Sequence, residues 1–198
     1  MFITLEGGEG AGKSTQARRL AAALTARGQP VLLTREPGGA AGAEALRGLL
    51  LARPFDARAE MLLHFAARRE HLVRSIRPAL AAGATVVCDR FADSTFAYQV
   101  GGQGGDPQLW AALVTHTLEG IWPDLTFLLD LPVEVGLARA AARGEANRYE
   151  AADPDFHHRV RLAYHALAAR EPERFRLIDA TLPEDEVAEA ILACLPAP

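Results

Sequence analysis

The sequence predicts an α/β fold with three layers, a five-stranded parallel sheet flanked by helices. Three observations carry that expectation. Five short runs, FITLE (2–6), VLLTR (31–35), TVVCD (85–89), LTFLLDL (125–131) and FRLID (175–179), are apolar and β-rich throughout, as strands covered on both faces are. Longer stretches with helical spacing separate them. Strand, helix and strand then repeat along the chain, which implies right-handed crossovers and parallel pairing.

Taken in order, the first strand runs into GGEGAGKS (7–14), and a helix over 14–27 follows with Ala17, Leu20 and Leu24 on one face. Gly28 and Pro30 stop it. Further helices are expected over 41–52, 57–82, 107–120, 133–143, 155–170 and 183–194, the last an amphipathic cover. GGQGGD (101–106) reads as a flexible connector, and Trp110 and Trp122 as core or subunit contacts.

No repeat, low-complexity tract or linker divides the 198 residues, so residues 1–198 are expected to form one domain. Asp130 cuts the best apolar run, LTFLLDLPV, far short of a membrane span. The first residues lack the basic flank and apolar stretch of a secretory signal, so a cytoplasmic chain is expected. Cys88 and Cys194 form no CxxC pair, against a thiolate metal site or a disulfide framework. A net charge of −4 disfavours a nucleic-acid partner, so an anionic ligand must meet a local basic cluster. Of the 21 basic residues only Lys13 is a lysine.

That lysine lies in the G-x-x-x-x-G-K-[ST] pattern, with a strand before it and a helix after it. Gly7, Gly8, Gly10 and Gly12, together with Glu9 and Ala11, form a loop whose amides can converge on phosphate at a helix N-terminus. Lys13 is expected on the β- and γ-phosphates, Ser14 on Mg²⁺, and Thr15 beside the nucleotide. The fold is therefore expected to be of the P-loop NTPase type. Without a second lysine the guanine-reading N/T-K-x-D segment of signalling GTPases is absent.

Ligands in such sheets bind beyond the carboxyl ends of the strands. There the chain offers CDRFADSTFAYQ (88–99), with Asp89 and Arg90, and TREPGG (34–39), with an Arg35–Glu36 pair beside the rigid Pro37. HFAARREH (64–71) adds Arg68 and Arg69. ARAAARGEANRYE (138–150) crowds Arg139, Arg143 and Arg148 around Gly144. On its own that segment is either a solvated helix end or a source of phosphate-binding charge.

In order and spacing, GGEGAGKST, TREPGG, FAARREH, DRFADSTFAYQ and RGEANRYE resemble the bacterial thymidylate kinases, from Met1 to about Arg170. The resemblance implies a homodimer that phosphorylates dTMP to dTDP with ATP and Mg²⁺, and an arginine-bearing lid over about 139–154. It implies that Arg90 holds the dTMP phosphate, with Arg35 and Pro37 beside the acceptor. Glu9 and Asp89 would organise metal, water and the sugar hydroxyl. Ser94 and Gln99 would face the thymine, and Tyr98 would crowd the 2′ position. Arg143 and Arg148 would close over the ATP phosphates and Arg139 would lie nearer the adenine, which DATLP (179–183) would line. Counting back from Arg77-Pro78-Ala79-Leu80 puts the base-contacting arginine at Arg68, with His64 where the family stacks a phenylalanine. A register shifted by one would instead pair Phe65 with Arg69, and Phe65 is counted among the residues expected at the dTMP site. Ala40 departs from the commoner GGT. A kinase for another nucleoside monophosphate and a non-catalytic nucleotide-binding regulator are the rival readings.

Overall fold

The computed structural model describes residues 1–144 and 148–196. Five strands, β1 (Phe2–Glu6), β2 (Val31–Arg35), β3 (Thr85–Asp89), β4 (Leu125–Asp130) and β5 (Phe175–Asp179), form one sheet in the order β2-β3-β1-β4-β5. Every neighbouring pair is parallel. The expected strands therefore form, with β4 ending one residue early at Asp130.

Alternation along β1 sends its side chains into two separate cores. Ile3 and Leu5 pack with Leu20 and Leu24 of α1 (Lys13–Ala26) and with Val187 and Ile191 of α9 (Glu184–Ala193). Phe2 lies on the other face with Phe65 of α3 (Ala57–His71), Val86 and Leu118 of α6 (Pro107–Leu118). The rest of that second layer is α8 (Pro154–Arg170), where Phe156, Val160 and Tyr164 pack against Tyr98 and Leu128. Helices α2 (Ala41–Ala52) and α7 (Val133–Ala141) complete the flanks, α2 at its expected boundaries.

Two segments depart from the sequence expectation. The single helix expected over 57–82 is α3, a π-turn at Leu72–Ile76, and α4 (Arg77–Ala81). Pro78 has no N–H to complete an α-helical ladder there, and the wider turn precedes it. After β3, a short α5 (Ala92–Thr95) runs into a π-helical segment at Phe96–Gly102. Gly101 and Gly102, expected in a flexible connector, are instead packed against α8: a Cβ on Gly101 would lie 2.5 Å from that of Ala163. Trp110 sits within α6 and packs on Phe96 and Trp122 in the second core. Among the described residues no helix is long and apolar enough to cross a membrane.

Candidate active site

β1 ends in the glycine loop, and the loop ends in α1. Gly7, Gly10 and Gly12 have φ of 140°, 69° and 85°, values that L side chains rarely adopt. Gly10 also lies so close to α7 that a Cβ would sit 1.9 Å from the Gly136 carbonyl oxygen. Lys13 is buried and its Nζ donates to the Gly8 carbonyl at 2.6 Å. Burial, aided by Arg90, lowers its pKa to about 8, against the pull of Glu9, Asp89 and Glu6. A phosphate in the loop would add negative charge beside the ammonium and oppose that shift.

The Ser14 hydroxyl donates to Asp89 Oδ2 at the end of β3, while Asp89 Oδ1 is buried without a hydrogen-bond partner. A hydroxyl and a carboxylate oxygen suit a hard dication that keeps water or phosphate for its remaining positions. Among the described residues no group of three or more His, Cys, Asp or Glu could hold a metal alone.

Next to Asp89, Arg90 has φ 71°, which costs a non-glycine residue about 1–3 kcal/mol, and its side chain lies against the glycine loop that follows β1. Its guanidinium donates to Glu9 Oε1 and to the Tyr98 hydroxyl, both at 2.9 Å, and lies 4.8 Å from the centre of the Tyr98 ring. Ser94 Oγ accepts from it at 3.2 Å, and Ser94 in turn donates to the buried Glu6 at 2.5 Å. Glu9 feels opposed effects. Burial raises its pKa, but Arg90 and Lys13 outweigh this and hold it at about 2. Arg90 thus stands between the glycine loop and a second pocket.

That pocket is walled by Pro37, His64, Arg68, Ser94, Tyr98 and Gln99. Arg68 is buried: Nε donates to Glu36 at 2.7 Å, Nη2 to Thr95 Oγ1 at 2.9 Å, and Nη1 has no partner. Arg69 faces elsewhere, toward the Thr117 carbonyl and Glu119. Of the two adjacent arginines, Arg68 and not Arg69 lines the pocket. Phe65 does not line it, which corrects its assignment to the acceptor site: the ring is in the core, 4.7 Å beneath the Arg68 guanidinium. One helical step turns a side chain by about 100°, so His64 takes the pocket edge. Burial and the charges of Arg68, Arg148 and Arg90 lower the His64 pKa to about 3, leaving a neutral ring.

The expected Arg35–Glu36 pair is also corrected. They point apart, as neighbours on a strand do. Glu36 is buried between Arg68 and His71, while Arg35 meets Glu44 at 3.3 Å in the open cleft beside the glycine loop. Arg47 of α2 borders both the cleft and the pocket, and its Nη1 donates to the Pro37 carbonyl at 2.8 Å. Sequence reasoning missed it, because a lone arginine on an amphipathic helix carries no motif.

The three flap arginines separate. Arg139 donates to the Ala180 carbonyl at 2.6 Å, in a groove bounded by Gly10, Gly12, Thr15 and Thr181. Arg143 is exposed, pairs with Glu150 at 2.9 Å and borders the cleft that holds Lys13 and Asp89. Arg148 does not lie over the glycine loop as expected. Its guanidinium is drawn to the buried Glu60 carboxylate at 2.6 Å and to the Leu50 carbonyl at 2.7 Å. Glu145, Ala146 and Asn147, part of the same motif, lie outside the described residues.

Residues 5–191 match the family model for thymidylate kinase. The chain is 55% identical to a thymidylate kinase of Caulobacter vibrioides, over 96% of this chain and 93% of that one. It is 56% identical to a thymidylate kinase of Pseudomonas putida, over 99% and 96%. A crystal structure of thymidylate kinase from Ehrlichia chaffeensis superposes with a TM-score of 0.81 at 36% identity, covering 99% of this chain and 98% of that one. With a family model spanning nearly its whole length and relatives identical at more than half of the aligned positions, the chain belongs to the thymidylate kinase family.

Proposed function

We propose that the glycine loop and its cleft take MgATP, that the second pocket takes dTMP, and that Arg90 holds the acceptor phosphate between them. Phosphorylation of dTMP to dTDP follows from family membership. The observation that carries the division of the site is Arg90, whose guanidinium touches both Glu9 of the loop and Tyr98 of the pocket.

In this reading an incoming phosphate displaces Glu9 as the partner of Arg90, and Arg47 reaches the same oxygens from α2. Lys13 and the loop amides hold the β- and γ-phosphates. Ser14 and Asp89 would hold Mg²⁺, which when bound neutralises charge on the donor phosphates. Acceptor phosphate oxygens are already anionic near neutral pH, so transfer needs alignment more than a strong base. Arg143 supplies the cation that meets charge spreading over the transferred group. Arg148, held at Glu60, anchors the flap's far end. Arg139, with Ala180 and Thr181, borders the adenine. In the base pocket the unpartnered Nη1 of Arg68 donates to a carbonyl of thymine, and Gln99 meets its ring edge. Tyr98, packed against Arg90, leaves no room for a ribose 2′-hydroxyl. We further read the enzyme as a cytoplasmic homodimer, on its family membership.

A coupled assay with MgATP and dTMP, dUMP, UMP, CMP, AMP or GMP tests the assignment. The highest kcat/KM is expected for dTMP, and preference for any other acceptor would overturn it.

A further inference from the structure

Behind the pocket lies a buried carboxylate that the phosphoryl transfer does not use. Glu60 of α3 is 0% exposed. Its Oε1 accepts from Gln99 Nε2 at 2.8 Å, from Gln103 Nε2 at 2.8 Å and from the Tyr149 hydroxyl at 2.9 Å. Its Oε2 accepts from Arg148 at 2.6 Å. A carboxylate paired with a guanidinium accepts rather than donates, so Gln99 turns its NH₂ toward Glu60. The choice that is usually ambiguous for an amide is made here by the partner's chemistry. Gln99 is almost wholly buried yet borders the pocket, and with its NH₂ turned to Glu60, its carbonyl oxygen is the acceptor it can offer a ligand there.

We propose that Glu60 is a specificity-determining positioning residue: by fixing the Gln99 amide it presents an acceptor oxygen to the base and so selects pyrimidines bearing N3–H over cytosine. Thymine and uracil carry a proton at N3. Cytosine carries a lone pair there, which would face the Gln99 oxygen with no hydrogen between them. A neutral residue at position 60 can itself donate, so Gln99 could take either orientation and the distinction would fade. This rests on the second pocket being the acceptor site. It does not bear on thymine against uracil, which share that edge.

The test is kcat/KM for dTMP, dUMP and dCMP in the full-length wild type and in Glu60→Gln, Gln99→Leu and Gln103→Ala. Loss of a buried, directional hydrogen bond predicts a dTMP:dCMP ratio about 10- to 100-fold lower in Glu60→Gln and in Gln99→Leu. Their dTMP:dUMP ratio should stay at the wild-type value. Gln103→Ala removes another Glu60 partner but leaves Gln99 oriented, so its dTMP:dCMP ratio should stay within about threefold of wild type on the same grounds. Glu60→Gln in the Gln99→Leu background should add nothing. An unchanged dTMP:dCMP ratio in either Glu60→Gln or Gln99→Leu overturns the proposal, as does an equal fall in Gln103→Ala, which would mark a general loosening. If Glu60→Gln does not fold, Gln99→Leu against Gln103→Ala decides: a fall confined to the former supports the proposal and its absence refutes it. A wild type preferring another acceptor over dTMP would instead refute the pocket assignment. A wild type preferring dTMP with a Glu60→Gln variant equally selective would leave that assignment standing and remove only Glu60.

Discussion

Arg90 and Arg143 are chemically the same side chain, yet their surroundings give them different work. Arg90 is held by Glu9, Tyr98 and Ser94 before any ligand arrives, so its place is set in advance. Arg143 is exposed and held by Glu150 alone among the hydrogen bonds described. A preplaced cation serves binding, whereas a loosely held one can engage charge that develops during transfer. Arg143→Ala is therefore expected to lower kcat by about 10³-fold with KM for dTMP within about threefold. Arg90→Ala should raise KM for dTMP as well. Steady-state kinetics on the two variants would check this split, and an unchanged kcat in Arg143→Ala would remove it from transfer. At this scale the sequence was legible where a motif fixed a neighbourhood: Lys13 in its glycine loop, Asp89 and Arg90 after a strand. Phe65, Arg148 and Arg47 were not, because which way a helical side chain faces, or which carboxylate captures it, depends on packing.

At the scale of elements, the segment from Ala92 to Gly102 does most to shape the second pocket, the proposed acceptor site. It carries Ser94, Tyr98 and Gln99, and its π-helical part lies directly on α8. Close approach is possible because Gly101 and Gly102 have no side chains: a Cβ at Gly102 would sit 2.4 Å from the Phe156 ring. Gly101→Ala would force the segment away from α8, at a cost of about 1–3 kcal/mol for overpacking. The expected result is a lower melting temperature, measured calorimetrically, and weaker dTMP use with KM for ATP raised less, since the glycine loop meets this segment at Tyr98, which donates to Glu9, and not at Gly101. Equal loss for both substrates would mean that the displacement spreads to the sheet. The sequence showed these glycines, but a GGQGGD run reads as a connector unless the opposing helix is known.

Across the whole molecule, buried titrating groups tie stability to pH. The folded pKa of His64, about 3, is below its ordinary value of 6.5, so the unfolded chain binds the proton more readily. Acidification through 6.5 therefore removes stability, at up to about 1.4 kcal/mol per pH unit per proton, until the folded ring titrates near 3. Glu9, held at about 2 against 4.5, adds to this below 4.5. Glu6 acts oppositely: burial and the charge of Asp93 raise its pKa to about 7, so it costs stability as pH rises from 4.5 to 7 and nothing further above that. His64→Gln is expected to flatten the fall in melting temperature between about pH 6 and about pH 4 by an amount equivalent to about 1–2 kcal/mol. A pH profile parallel to wild type would contradict the half-buried, neutral ring.

By itself the sequence determined the sheet, its parallel sense and the phosphate loop, because these rest on local patterns: continuous apolar runs, helical spacing, and glycines next to a lysine. Family spacing already favoured Arg68 over Arg69 at the second pocket, whereas the tertiary structure alone decided that Arg148 is bound to Glu60 and that Arg35 and Glu36 have separate partners. Residues far apart in the chain meet at each such contact, as Arg148 meets Glu60 and the Leu50 carbonyl. The outcome follows from distance and burial, which no stretch of the chain encodes alone.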